Sequence, residues 1–199
     1  MKKILLATLF VSHIGNAQII NFPDANFKAN LLASNSSNNI AKDLNGNSFK
    51  IDANNDNQID VSEALMVKEL QPNPFESPTF NYESIVGILY FTNMETFNLG
   101  ASNTTAIYVS GLIHLKFLYF RNCPVSTLDV TNCIALEEIV TSSANLTSVD
   151  LSTLVNLRIF SAPICPITEL DLSHNMHLDI LDLMHCEALV SLNIRNGSI

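Results

Sequence analysis

Five stretches of this 199-residue chain recur with a spacing of 21. Met94, Leu115, Leu136, Leu157 and Leu178 open the units, and Phe97, Leu118, Ile139, Phe160 and Leu181 follow three positions behind. Ten residues further on a second apolar column runs through Ile107, Leu128, Val149 and Leu170, then slips by one residue to Leu192. A unit of this size cannot bury its apolar side alone. A strict period therefore predicts a stack in which each turn of chain shelters the next.

Within each unit the pattern predicts a short strand after the first apolar pair, a turn, and a second strand around Leu128-Asp129-Val130, Val149-Asp150-Leu151 and Leu170-Asp171-Leu172. Val86 and Ile88 lie 21 residues before Ile107 and Val109, which predicts a degenerate half-coil opening the stack. So short a period leaves little room for an outer helix. The expected shape is a mainly β, weakly curved solenoid of about five coils with a concave parallel sheet.

Residues 1–17 read as an export signal, with Lys2 and Lys3, the apolar stretch 4–14 and the small-residue exit Gly15-Asn16-Ala17 in order. The apolar stretch is far short of the roughly 20 residues that cross a bilayer, so no membrane span is expected and the mature chain should be secreted or at the cell surface. Cleavage removes two of the ten basic residues and none of the nineteen acidic ones, leaving a chain more acidic than the full-length −9. Phosphate backbones would be repelled, and nucleic acid is not an expected partner.

Between leader and repeats, residues 18–70 read as a small helical cap. Pro23 and Asp24 suit a helix start, Phe27, Leu31 and Leu32 give one apolar face, and the polar cluster 34–39 should end the helix. A second helix is predicted over 61–70, where Ala64, Leu65, Val67 and Leu70 fall at helical spacing. Residues 71–93, with Pro72, Pro74 and Pro78, read as an extended connector and the half-coil. The repeats proper span 94–199.

The cap also holds the sharpest local motif. Asp52, Asn54, Asp56, Asp60 and Glu63 place oxygen-bearing side chains at loop positions 1, 3, 5, 9 and 12, and Gln58 offers its carbonyl at position 7, the spacing of an EF-hand calcium loop. Ile59 stands at the apolar position 8, and Asn57 replaces the usual glycine at position 6 while still tolerating a left-handed backbone. Calcium is the expected cofactor, with weak affinity on the order of 10⁻⁴ M. The other reading is an Asn/Asp-rich turn that satisfies its own backbone.

Cys123, Cys165 and Cys186 fall in one column with Ala144 in the gap, and Cys133 lies in a turn. Adjacent coils about 4.8 Å apart bring Cys165 and Cys186 within bridging range, but directly stacked side chains point the same way and rarely meet the disulfide torsion. Packing is the expected role. Asp129, Asp150 and Asp171 form a ladder of like charges, for which the plain account is that each carboxylate accepts from the backbone of its own turn. His174, His177 and His185 do not converge in the repeat register.

Leu115-x-x-Leu118-x-Phe120-x-x-Cys123-x-Val125 and its copies resemble the leucine-rich repeat. With the Leu-Asp-Val-Thr and Leu-Asp-Leu-Ser tails and the acidic loop, the chain resembles secreted bacterial leucine-rich-repeat proteins of internalin-like style, surface-associated or type IX-secreted. Thr141 and Ala162 depart from the pattern where Leu is usual, and no carboxy-terminal sorting or adhesion domain follows. The resemblance implies a protein or glycan ligand bound on the concave sheet. Alternate positions along the strands put Phe117, Tyr119, Arg121, Glu138, Val140, Ile159, Ile180, Asp182 and Met184 on that surface. These apolar and aromatic groups either form a binding patch or are covered by other parts of the structure. No nucleophile and base are framed for catalysis, so no enzyme is expected. The runner-up is a rigid spacer, in which this chain is a piece of a larger adhesin or sorting cargo.

Overall fold

A computed structural model describes residues 18–72 and 81–195. The leader, most of the proline connector and the last four residues lie outside them. The elements run α1 (Ala25–Leu32), β1 (Ala41–Asp43), α2 (Val61–Ala64), β2 (Val67–Leu70), a 3-10 turn (Ile88–Tyr90), then β3 (Thr96–Asn98), β4 (Ala106–Tyr108), β5 (Phe117–Arg121), β6 (Thr127–Asp129), β7 (Glu138–Ser142), β8 (Ile159–Ser161), β9 (Glu169–Asp171), β10 (Ile180–Asp182) and β11 (Ser191–Asn193). The chain is a mainly β, leucine-rich-repeat solenoid of about five coils with a small helical cap.

One seven-stranded sheet, ordered β1-β2-β3-β5-β7-β8-β10, runs the length of the described stack. Every pairing in it is parallel except the antiparallel β1–β2 pair of the cap. From β3 onward the register is the sequence period: Phe97, Leu118, Ile139, Phe160 and Leu181 pair in a line. Met94, Leu115, Leu136 and Leu157 are all fully buried beside it. In the last coil, Leu178, Leu181, Leu183 and Leu189 are half-buried against that core.

The opposite side is less regular than the periodicity predicts. β4 pairs with β6 and β9 with β11, but no strand forms at Val149-Asp150-Leu151. Val149 is half-buried, whereas Ile107 and Leu170 are buried. The slip to Leu192 is real, since Leu192 pairs with Leu170. The half-coil expected at Val86 and Ile88 is instead the 3-10 turn, with Ile88 buried and Val86 exposed. Gly87 caps that turn at φ +107°, where a Cβ would lie 2.6 Å from the Phe22 ring; only glycine combines that dihedral with that approach.

The cap departs from expectation in its second helix. α2 stops at Ala64, and Val67–Leu70 is a strand between β1 and β3. Val67 and Leu70 are both buried, a three-residue spacing that reads as helical. The β1–β2 register explains it: Lys42 faces Glu69 and Asp43 faces Val67, so Lys68 bulges and both apolar residues turn inward. The repeat sheet therefore begins inside the cap. α1 forms as predicted, with Asp24 as its N-cap accepting from Asn26 and Phe27. The same carboxylate accepts from Glu83 and Ser84 N–H at 2.7 and 3.1 Å, tying the helix to the first turn of the stack.

Beside the sheet runs a second 21-residue column. Glu95, Lys116, Glu137, Arg158 and Asp179 alternate in sign, and each backbone N–H bonds to the carbonyl of the residue one coil back at 2.8–2.9 Å. Lys116 lies 3.0 Å from Glu95 and Arg158 lies 2.6 Å from Asp179. Lys68 reaches Glu95 at 3.9 Å from the cap side. Neighbouring coils thus meet with opposite charges.

The polar columns behave as the plain readings required. Asp129, Asp150 and Asp171 accept from Thr131, Ser152 and Ser173 N–H at 3.0, 2.9 and 2.8 Å. The Ser152 and Ser173 side chains and N–H groups hold Asp150 and Asp171 below the usual carboxylate range. None of the four cysteines forms a disulfide, and all are buried. Cys123, Cys133 and Cys186 direct their sulfurs at the Gly100, Val109 and Ala162 carbonyls, residues of the preceding coil, at 2.8–3.1 Å. Cys133 belongs to a buried column with Leu112, Leu154 and Asn175, so its turn faces the core.

Candidate binding surface

Strand pairing arranges the exposed face of the sheet into rows. Thr96, Phe117, Glu138, Ile159 and Ile180 lie side by side in one row, and Asn98, Tyr119, Val140, Ser161 and Asp182 in the next. Arg121 pairs beside Ser142 in a third. Each strand alternates, with Leu118, Phe120, Ile139, Thr141 and Phe160 pointing into the core and their neighbours outward. The predicted surface residues thus share one face. Ile180 is 51% exposed and Met184, in the turn after β10, is 59% exposed. Phe117, Tyr119, Val140 and Ile159 are half-buried.

The aromatic pair is well anchored. The Phe117 and Tyr119 rings are near-parallel at 6° with centroids 6.4 Å apart, and the Tyr119 hydroxyl donates to Glu138 Oε2 at 2.8 Å. Burial, together with that hydrogen bond to a carboxylate, pushes the Tyr119 hydroxyl well above its ordinary pKa, so it stays a neutral donor. Ser161 donates to Asp182 at 3.1 Å, so the second carboxylate of the face is also engaged.

The sequence reading left out Thr96, Asn98, Ser142 and Ser161, which complete these rows. It also missed the cap's share of the face. Because β2 is a strand, Lys42 and Glu69 join the sheet and form an ion pair at 2.8 Å. Between this strand pair and β5 lies a groove of about 200 Å³, lined by Asn39, Lys42, Glu69, Thr96, Asn98 and Tyr119 among others. The 21-residue period could not have signalled it, since the β2–β3 partners Leu70 and Phe97 fall outside that period.

The predicted calcium loop keeps much of its expected backbone. Asn55 and Asn57 at positions 4 and 6 are left-handed, with φ of 62° and 63°, and Ile59 is fully buried beneath. Asp52 and Asn54 both accept from the Asp56 N–H, at 3.1 and 2.9 Å, and Asp56 accepts from Gln58 at 2.8 Å. Glu63 is turned differently. Its oxygens accept from the Ala53, Asn54 and Asp60 N–H groups, the last closing a capping box on α2. Lys50 stands 3.4 Å from Asp52. Among the described residues, no three His, Cys, Asp or Glu side chains are gathered to hold a metal ion. At positions 1, 3 and 5, as at position 12, the oxygens accept from the loop's own backbone, the arrangement of an Asn/Asp-rich turn.

These coils and their cap define a leucine-rich-repeat solenoid with one continuous exposed sheet face. No protein-family model and no curated sequence matches the chain. Among solved structures it is similar to a functional domain of InlJ from Listeria monocytogenes that includes a cysteine ladder, with a TM-score of 0.65 and 21% identity over 89% of this chain. The chain spans 38% of that domain's length. An internalin, InlF from Listeria monocytogenes strain 4b F2365, aligns over 86% of this chain and 56% of its own at 17% identity and a TM-score of 0.46. The InlJ likeness concerns the fold. No helix of the described residues is long and apolar enough to cross a membrane.

Proposed function

We propose that this chain is an exported, non-catalytic binding module that recognises a protein or glycan through the exposed face of its sheet. The observation that carries the reading is the row register. It sets Phe117, Ile159 and Ile180 in one line and Tyr119 and Val140 in the next, an apolar and aromatic patch with Arg121, Glu138 and Asp182 among it, on a rigid scaffold. Export rests on the leader pattern of residues 1–17.

A Tyr119→Ser/Ile159→Ser variant separates this reading from a rigid spacer. Wild type and variant would be presented to an array of secreted and cell-surface proteins and glycans, with melting curves run beside. A binding module loses its array partners while its melt holds. Partners retained in full by the folded variant would point to the spacer.

The same reading gives the loop 52–63 a calcium ion that orders the cap, held by Asp52, Asn54, Asp56, Asp60, the Gln58 carbonyl and Glu63. Its support is the spacing of these oxygen donors and the left-handed Asn57 at the position usually held by glycine. Binding requires Glu63 to give up hydrogen bonds to the backbone, which favours weak affinity. At a dissociation constant on the order of 10⁻⁴ M, 1 mM calcium would add about 1.4 kcal/mol to stability. A melting temperature identical in calcium and in chelator would overturn the assignment.

A further inference from the structure

We propose that the groove at the cap end of the sheet is a subsite for a neutral carbohydrate, an inference that rests on the sheet face being the binding surface. The groove is close to charge-neutral where it matters: Lys42 Nζ and Glu69 Oε2 are 2.8 Å apart and each side chain is about one-third exposed. An anionic ligand meets no uncompensated cation there, and a cationic one meets a carboxylate already paired.

The main chain under the groove is also engaged. β2, β3 and β5 are each hydrogen-bonded on both sides, and the outer side of the edge strand β1 is met by residues 47–49, with Asp43 N–H on the Asn47 carbonyl at 2.9 Å and Phe49 N–H on the Ala41 carbonyl at 3.3 Å, so an extended peptide finds little free edge to join as a strand. Recognition falls to side chains, and these carry both donors and acceptors. Asn98 uses its Oδ1 to accept from Gly100 N–H at 3.3 Å, and Asn39 uses its Oδ1 to accept from Ser48 Oγ at 3.4 Å. Both amide NH₂ groups therefore remain for a ligand. Glu69 keeps Oε1 as an acceptor while Oε2 meets Lys42, and Thr96 adds a hydroxyl that does either. Donors and acceptors interleaved on a neutral frame match the adjacent hydroxyls of a sugar ring, each of which also donates and accepts.

Tyr119 supplies the apolar half of the site. Its ring is steadied by Phe117 on the same strand and its hydroxyl by Glu138, so little rotamer freedom is lost on binding. A rigid aromatic face beside amides and a hydroxyl suits the C–H face of a pyranose. With a volume of about 200 Å³, the groove admits a single ring, and a longer glycan would continue along the rows toward Val140 and Ile159.

The test titrates the mature chain with soluble cellohexaose, laminarihexaose, mannohexaose and chitohexaose, each to about 10 mM, by calorimetry and ligand-observed NMR. A heparin hexasaccharide serves as the anionic probe. At least one neutral hexasaccharide should bind in the micromolar-to-millimolar range. Asn98→Ala and Tyr119→Ala should each weaken it about fivefold or more with an unchanged melt, whereas Val155→Ser, at an exposed turn outside the sheet, should leave it within about twofold. The proposal is overturned if no neutral hexasaccharide binds, if heparin binds more tightly than all of them, or if Asn98→Ala leaves the affinity unchanged. Array partners that depend on Tyr119 and Ile159 in the absence of any sugar binding would remove the subsite and leave the binding-module reading standing. Sugar binding that survives Tyr119→Ala would place the sugar elsewhere and overturn the subsite.

Discussion

Thr141 occupies a core position between Phe120 and Ala162, one coil to either side, and is 1% exposed. Its backbone completes β7, but its Oγ1 has no hydrogen-bond partner. A buried hydroxyl without a partner costs roughly 1–3 kcal/mol in lost hydration. Thr141→Val removes the hydroxyl, keeps the β-branched shape that suits a strand, and adds a methyl of nearly the same size. The chain should gain about 1–2 kcal/mol, which for a domain of this length is a rise of roughly 2–8 °C in melting temperature. The assay is urea unfolding followed by circular dichroism, with a thermal scan as a second readout. The midpoint should move up while the slope stays constant, because the surface exposed on unfolding is unchanged. Thr147→Val, at an exposed position, is the control and should shift stability by no more than about 0.5 kcal/mol. A Thr141→Val protein that is equally or less stable than wild type would show that the hydroxyl is satisfied in solution, and would refute this account of the position.

Three further outcomes follow from the same packing. Leu136→Ala empties a fully buried site in the middle of the stack and should cost about 3–5 kcal/mol; because each coil leans on its neighbours, hydrogen exchange should quicken in β5, β7 and β8 together. Asp24→Ala removes an N-cap that also holds Glu83 and Ser84, and a loss of about 1–2 kcal/mol is expected by urea unfolding. Burial raises the Asp24 pKa, but the backbone N–H groups of Phe27, Glu83, Ser84 and Asn26 outweigh it and leave the pKa below 3.8. Its contribution is therefore present above the unfolded-state pKa and lost as pH falls through the folded one, so the gap between wild type and Asp24→Ala should close on acidifying below about pH 4. Lys116→Glu would place three like charges in succession at Glu95, position 116 and Glu137; stability should fall by about 0.5–1 kcal/mol at low ionic strength and largely recover in 1 M salt.

The periodic columns were legible because a solenoid contact is a sequence separation. Phe97, Leu118, Ile139 and Phe160 meet for the same reason that they are spaced by 21, and the surface rows through Phe117, Glu138, Ile159 and Ile180 follow once the strands alternate. The alternating charges at Glu95, Lys116, Glu137, Arg158 and Asp179 keep the same period and are equally visible in the sequence. Val67–Leu70 was misread because a bulge gives a strand the apolar spacing of a helix. Position 149 carries the apolar column and still forms no strand, since the outer segments have less hydrogen-bonded pairing to hold them than the seven-stranded sheet.

The repeat alone therefore determined the stacking axis, the buried columns and which side chains share the exposed face, because a constant period leaves one way to bury every unit. Tertiary structure decided what happens where the period ends. It made the cap strands part of the sheet, opened the groove beside Tyr119, and turned Glu63 toward the backbone of its own loop. Those features depend on pairings between segments that share no spacing rule, and only the folded chain brings them together.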